Sequence, residues 1–315
     1  MRVLVVGAGA IGGYFGGRLL EAGRDVSFLV RSRRAAELAR TGLVIRSRLG
    51  DIDLSAPPTV TADVLRQPFD LVLLGCKSYD LDDAMASFAP AVGPETVILP
   101  LLNGMRHLDA LEERFGANHV LGGQCLISAA LDPGGRIVHL SDTHSLSFGD
   151  RDGSRSARIE EVTSVLSSAR FEARLSEAIL QEMWEKWVFI ATGAGISCLM
   201  RAAIGDIVAA GAADLATGLF EECAAIATGQ GFPPGPEFLE RTRLMFTAPG
   251  SLLTASMLRD IERGAPIEAD HILGDLLRRG GANRDAGSLL NVAFRHVKAY
   301  EARRARNQAE IQKAA

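Results

Sequence analysis

The sequence predicts an α/β domain built on a parallel sheet, followed by an all-α domain, and three observations predict it. Short β-branched runs alternate with helical patterns through the first hundred residues or so. From about 120 the texture changes to short strands joined by turns, and from about 177 every periodic segment is helical. The chain is also too long, at 315 residues, for one ordinary domain, and its 47% hydrophobic content is ample for two cores. The expected division is 1–175 and 176–315.

The first strand, 2–6, runs directly into Gly7-Ala8-Gly9-Ala10-Ile11-Gly12. A strand, then G-x-G-x-x-G, then a helical pattern (Phe15, Leu19, Leu20) and a second strand at 26–30 is how a Rossmann-type dinucleotide site is built. Gly7 makes the tight turn, Gly9 lets the backbone approach the pyrophosphate, and Gly12 lets the helix sit close to the strand. The phosphates then meet the N–H groups of Ala10, Ile11 and Gly12 at the helix start. An NAD site wants an acid at the end of the second strand. Here the sequence reads Arg31-Ser32-Arg33-Arg34. Guanidinium forks match the oxygens of a 2′-phosphate, so the predicted cofactor is NADP(H); the alternative for these arginines is a solvated basic helix start.

Further strands are legible at 70–75 and 96–101, with helical patterns between them, as a doubly wound sheet requires. The segments 122–131, 135–140 and 145–149 read as short strands joined by Asp132-Pro133-Gly134-Gly135 and by Asp142-Thr143. Such tight turns predict antiparallel strands at the edge of the sheet. A helix at 154–169 and a short segment near Phe171 close the domain. Helices are then expected at 177–200, 206–230, 236–247, 251–263, 268–279 and 286–305. A cleft between a nucleotide domain and a helical domain is a common place for a substrate.

Composition excludes several functions. A net charge of −4 gives no sign of nucleic-acid or membrane-surface binding. Cys76, Cys125, Cys198 and Cys223 are scattered, with no C-x-x-C, which fits buried thiols in a reducing cytoplasm. The six histidines show no ligand spacing, so no metal is expected. The apolar start is rich in glycine and lacks a polar cleavage region, so it reads as a strand and turn, not a signal peptide. The longest apolar stretch, 188–200, is too short to span a bilayer.

Four residues outside the glycine motif can carry chemistry. Lys186 lies in Met183-Trp184-Glu185-Lys186-Trp187-Val188-Phe189-Ile190, and desolvation in such surroundings disfavours its charged form and makes it a proton donor. The alternative is a snorkelling lysine beside Glu185. Asn103 follows a strand at its carboxyl end, where open α/β sheets place ligands; the alternative is an Asn103-Gly104 turn. Ser256 offers a hydroxyl for a substrate carboxylate and Glu268 an acid for the lysine; alone, both would be ordinary helix-surface polars.

The ordered set resembles the ketopantoate reductase (2-dehydropantoate 2-reductase) family over nearly the whole chain. Its landmarks are Gly7-x-Gly9-x-x-Gly12, Arg31, Cys76-Lys77, Asn103-Gly104, Lys186, Ser256-Met257-x-x-Asp260 and Glu268-x-Asp270. The resemblance implies NADPH-dependent reduction of 2-dehydropantoate to pantoate. It implies Lys186 as catalytic acid with Glu268 as its partner, Asn103 and Ser256 positioning substrate, and Lys77 lining the cofactor and substrate cleft, with Asn103 also touching cofactor. It further implies a cytoplasmic enzyme, a small-molecule 2-oxo acid as ligand and a homodimer. One departure bears on substrate. The family's pattern places Asn one turn after the lysine and on the following stretch, where this chain has Ile190, Ala194 and Ile204. A paralogue acting on a more apolar 2-oxo acid is therefore an alternative, and a non-catalytic NADPH-binding redox sensor is another.

Overall fold

A computed structural model describes residues 1–281 and 287–314. The first residue expected of the last helix, 286, lies outside the described residues. The chain divides into two compact units, Met1–Leu102 with His107–Leu180, and Asn103–Arg106 with Gln181–Ala315.

The first unit begins β1 (Val3–Val6), α1 (Ala10–Glu21), β2 (Val26–Leu29), α2 (Ser32–Thr41), β3 (Leu43–Arg46), β4 (Ile52–Leu54) and β5 (Thr59–Val60). It continues with β6 (Leu71–Leu74), α3 (Leu81–Phe88), β7 (Val97–Pro100), α4 (Arg106–Phe115), β8 (Gly122–Leu131), β9 (Ile137–Gly149), α5 (Ala157–Leu166) and β10 (Glu172–Leu175). One sheet has the order β5-β2-β1-β6-β7, and every pairing in it is parallel. Its strands β1, β6 and β7 are buried along their whole length, which is why they read as continuous apolar runs, not as alternating ones. β1 lies between β2 and β6, so the strand order reverses beside it, and ligands of such sheets bind at that carboxyl end.

The antiparallel strands form, but not at the edge of that sheet. β8 pairs antiparallel with β9 in a second sheet of order β10-β9-β3-β4. The expected turn at Asp142-Thr143 is absent too, because β9 runs through it as one strand. The register slips between Ile127, opposite His144, and Ala129, opposite His139, so the four residues 140–143 of β9 stand opposite Ser128 alone. Side chains fill the gap this leaves in the ladder. The Ser128 N–H donates to Ser141 Oγ at 3.0 Å, and Ser141 Oγ donates to the Thr143 carbonyl at 2.9 Å. A bulge and a turn use the same polar residues, so composition alone does not separate them.

α1 separates the two sheets and meets each through glycine. A Cβ at Gly16 would stand 2.6 Å from the Phe28 ring, on the parallel sheet. One at Gly13 would stand 2.6 Å from Ile137, and one at Gly17 2.8 Å from Ile45, both on the second sheet. Tyr14, Phe15 and Leu19 fill the rest of the same buried core.

The second unit is helical: α6 (Ile179–Met200, beginning at the end of the first unit), α7 (Ile204–Ala209), α8 (Ala213–Gly229), α9 (Pro236–Phe246), α10 (Ser256–Glu262), α11 (Asp275–Arg279) and α12 (Leu289–Ala314). The helix expected over 206–230 is two, because the chain turns at Gly211, where φ is +76°. A π-helical turn, Asp270–Gly274, leads into α11. Phe220, Phe238 and Phe246 cluster in the core, and Trp184 packs on Trp187 and stacks on Phe232. Cys125, Cys198 and Cys223 are buried, and burial pushes the Cys198 thiol up to about 12. Among the described residues no helix is long and apolar enough to cross a membrane.

Because α1 fits between the sheets only without side chains at these glycines, Gly16→Val should destabilise the protein by about 1–3 kcal/mol through overpacking. Gly229→Ala, in a helix with open space around it, should be neutral or stabilise by up to about 1 kcal/mol. Urea unfolding of both variants beside the parent checks this; equal effects would refute it.

Candidate functional site

In the first unit, the three glycines of the motif have three distinct environments. Gly7, at the carboxyl end of β1, has φ +92°, where L side chains are strained. A Cβ at Gly9 would meet nothing within 4 Å, so the backbone there faces open space. A Cβ at Gly12 would be driven into the Gly7 carbonyl oxygen, and Gly75, after β6, approaches Gly12 so closely that its own Cβ would stand 2.8 Å from the Gly12 Cα. α1 begins at Ala10 with Gly9 as its N-cap and no side-chain cap, and the Gly13 N–H is the one that closes on Gly9 O, at 2.8 Å. The N–H groups of Ala10, Ile11 and Gly12 thus open the helix with no intrahelical acceptor, beside the open face of Gly9. Such N–H groups can cradle the phosphates of a dinucleotide, so the residues present fit the cofactor that the motif predicts.

The arginines after β2 are not equivalent. Arg34 is turned onto the glycine loop, its guanidinium donating to the Ala8 carbonyl at 3.1 Å and pairing with Glu37 at 3.0 Å. Arg31 and Arg33 are exposed. Arg31 caps α2 and pairs with Asp80 at 2.8 Å and, more loosely, with Asp83 at 3.8 Å. The hydrogen bond to Asp80 raises its pKa above the ordinary arginine value. Asp80 ends the short turn Ser78–Asp80, and exposed Lys77 is the residue that caps that turn. Gly7, Gly9, Gly12, Arg31 and Lys77 are therefore gathered at the carboxyl ends of β1, β2 and β6. The role of Asp80 was not legible beforehand, since an acid 49 positions from Arg31 reaches it only through the order of the strands.

In the second unit lie Asn103, Lys186, Ser256 and Glu268, drawn from four separate stretches of chain. Lys186 is half-buried on α6, with Met183, Trp187 and Val188 around it buried. The neighbouring Glu185 accepts from the Gly235 N–H at 2.9 Å and from Gln181 at 3.2 Å, so its carboxylate holds the start of α9. Trp187, fully buried, donates its indole N–H to the Ile272 carbonyl at 2.9 Å. The Ile272 N–H in turn donates to Glu268 O at 2.9 Å. This relay fastens the turn bearing Lys186 to the segment bearing Glu268. Arg279 holds the buried Asp275 carboxylate at 3.0 Å and lies over the Trp184 and Trp187 rings, which fixes the same contact from the far side.

Ser256 is exposed at the first turn of α10, whose N-cap, Ala255, donates its N–H to Ser197 Oγ at 3.3 Å. Ser197 lies on α6 three turns beyond Lys186 on the same face. Asn103 is half-buried in the turn between β7 and α4. Gly104 beside it has φ +78°, and a Cβ there would stand 3.1 Å from the His271 ring. His271 was passed over by sequence reasoning; its signal is a lone histidine three residues, one helical turn, after Glu268. Ile190, one turn after Lys186, is half-buried, whereas Ala194 and Ile204 are only 2% and 1% exposed.

The comparisons with known proteins cover both units. Residues 3–153 match the family model "Ketopantoate reductase PanE/ApbA", and residues 178–301 match its C-terminal counterpart. The uncharacterized oxidoreductase YkpB of Bacillus subtilis is 38% identical, covering 96% of this chain and 99% of its own. The 2-dehydropantoate 2-reductase of Mesorhizobium japonicum is 28% identical, covering 89% of this chain and 91% of its own. The crystal structure of 2-dehydropantoate 2-reductase from Geobacter metallireducens superposes with a TM-score of 0.84 at 28% identity, covering 95% of this chain and 99% of that one. Matched along both units, the chain belongs to the ketopantoate reductase family and is an NADP(H)-dependent oxidoreductase acting on a CH–OH group.

Proposed function

We propose that the protein reduces 2-dehydropantoate to pantoate with NADPH. The observation that carries this reading is the fastening of the Lys186 turn to the Glu268 segment through Trp187 and Ile272, with Ser256 and Asn103 contributed to the same unit. In this reading the N–H groups of Ala10, Ile11 and Gly12 hold the pyrophosphate, and Arg31 takes the 2′-phosphate. NADPH, when bound, supplies the hydride.

Lys186 hydrogen-bonds the ketone oxygen, where negative charge develops, and hands it a proton. General acid catalysis of this kind contributes about 10²–10⁴-fold. Glu268 keeps the lysine oriented, Ser256 binds the substrate carboxylate, Asn103 positions the substrate and touches cofactor, and Lys77 lines the site. Family membership carries two further parts of the reading, a cytoplasmic location and a homodimer, of which light scattering on the purified chain tests the second.

Half-buried Ile190 favours a second substrate, a 2-oxo acid more apolar than 2-dehydropantoate. A wall with paired polar groups rejects an analogue lacking the hydroxyl by about 10⁴-fold or more, whereas an apolar wall discriminates by about 10–200-fold.

Three outcomes are expected. Arg31→Ala should weaken NADPH and leave NADH nearly unchanged, and Asp80→Asn, which releases Arg31, should tighten NADPH by about two- to fivefold, the range of an exposed ion pair. Fluorescence titration with both cofactors checks this, and equal affinity of the parent for NADH and NADPH would refute it. Lys186→Ala should lose most turnover in an NADPH-oxidation assay while still binding NADPH; near-normal turnover would make the lysine structural. Assayed side by side, 2-dehydropantoate and its deoxy analogue, 3,3-dimethyl-2-oxobutanoate, should differ in kcat/KM by less than about 10³-fold. A larger preference for 2-dehydropantoate would show that residues other than Ile190 supply the hydroxyl contact.

A further inference from the structure

His271 has no part in the reading above, yet it is buried, 6% exposed. It lies in the π-helical turn Asp270–Gly274, and such irregular turns recur at functional sites because they re-aim the side chains that follow them. Its ring stands against Gly104: the position a Cβ would take there is 3.1 Å from His271 Cδ2, 3.2 Å from Nε2 and 3.2 Å from the His271 carbonyl oxygen. The ring also hydrogen-bonds the Asn103 backbone in the sense that favours a ring N–H, so the histidine donates to the Asn103 carbonyl. The charged groups that act on it are Glu268 and Asp275 from its own stretch of chain and Arg106 from the start of α4. Burial dominates and lowers its pKa, so the ring is neutral near pH 7 and donates one hydrogen bond without placing a buried cation beside Arg106.

We propose that His271 is a positioning residue, which locks the Asn103–Gly104 turn to the Glu268 segment and thereby sets where the Asn103 amide points. The proposal rests on the reading of Asn103 as a substrate-binding residue. Gly104 is the other half of the device. Its positive φ turns the chain so that the Asn103 carbonyl meets the ring, and its missing side chain is what lets the ring sit there. The same segment is held from its other side by the Trp187 bond to Ile272, one residue beyond His271. Asn103 and Lys186 are thus both referred to one short stretch of backbone, 268–272. A group held by such a stretch keeps its angle to the others, and misplacement by about 1 Å can cost about 10²-fold in rate.

The test uses the full-length protein with His271→Phe, which keeps a ring and removes the donor, and His271→Gln, which restores a donor without a ring. Each is made alone and with Asn103→Ala. Hydrogen–deuterium exchange of the peptide covering 101–106 reads the turn directly, without any substrate. Exchange there should quicken in His271→Phe and return towards the parent in His271→Gln. NADPH-oxidation kinetics with 2-dehydropantoate and with 3,3-dimethyl-2-oxobutanoate read the consequence. His271→Phe should lower kcat/KM by about 10- to 100-fold in the parent, but by no more than about twofold once Asn103 is already Ala, because residues acting through one another are not additive. His271→Gln should recover most of the loss. Unchanged exchange in 101–106, or an equal loss in both Asn103 backgrounds, overturns the positioning role. If exchange quickens but Asn103→Ala leaves kcat/KM intact, the substrate-binding reading of Asn103 fails, and the proposal falls with it. Should His271→Phe not fold, His271→Leu, which also lacks the donor, takes its place with the same expected outcomes, and unchanged exchange in 101–106 or an equal loss in both Asn103 backgrounds again overturns the role.

Discussion

The close approach of α1 to two sheets at once is the constraint on which the first unit depends. Gly12 and Gly16 bring one side of the helix onto the parallel sheet, where Gly75 and Phe28 leave no room for a Cβ, and Gly13 and Gly17 bring the other side onto Ile137, Ile45 and Leu43. An ordinary helix would hold the layers farther apart, because interaxial distances follow the side chains at the contact. The dinucleotide motif is thus the first half of a longer glycine pattern. Its second glycine, Gly9, looks into open space, and those that follow serve packing. The loop's shape and the helix's fit come from one run of residues, and Arg34 ties the loop down from α2 through the Ala8 carbonyl.

The second unit depends on a different device, a buried hydrogen bond between distant turns. Trp187 spends its one donor on the Ile272 carbonyl in the π-helical turn. A buried indole N–H or carbonyl left without a partner costs about 1–3 kcal/mol, so the two turns are held in one geometry. The Asp275 carboxylate, fully buried, is held by Arg278 and Arg279, and the cation of Arg279 over the Trp rings closes the arrangement. Residues of no direct chemical use thereby fix the angle between Lys186 and Glu268, the two groups to which the proposed chemistry is assigned. Precision of this kind is what positioning asks of a scaffold, and helices supply it better than loops.

Polar residues that look interchangeable in the sequence are divided by the fold. Of three arginines after β2, Arg34 is structural, while Arg31 is exposed and paired with Asp80. Of two adjacent ionic residues on α6, Glu185 holds the start of α9 through Gly235, whereas Lys186 is the one to which the proposed function gives the chemistry. Ser197, silent in the sequence, carries α10 and therefore Ser256 onto the face of α6 that bears the lysine.

The sequence by itself determined the classes of both units, the glycine loop and the identity of the candidate residues, because these are local facts. Periodicity distinguishes strand from helix within a few residues, and Gly7, Gly9 and Gly12 act on atoms close to them in the chain. What it could not determine was anything set by which strands become neighbours. The antiparallel pair joins a second sheet because β9 pairs with β3 and β10, strands of four residues each, too short for their alternation to stand out in the sequence. The bulge at 140–143 looked like a turn, since the same small polar residues satisfy either backbone. Asp80 on Arg31, Trp187 on Ile272 and His271 on Asn103 join positions 49, 85 and 168 residues apart. Only tertiary packing decides such partnerships, because a side chain's partner is set by the path of the whole backbone and not by the residues beside it.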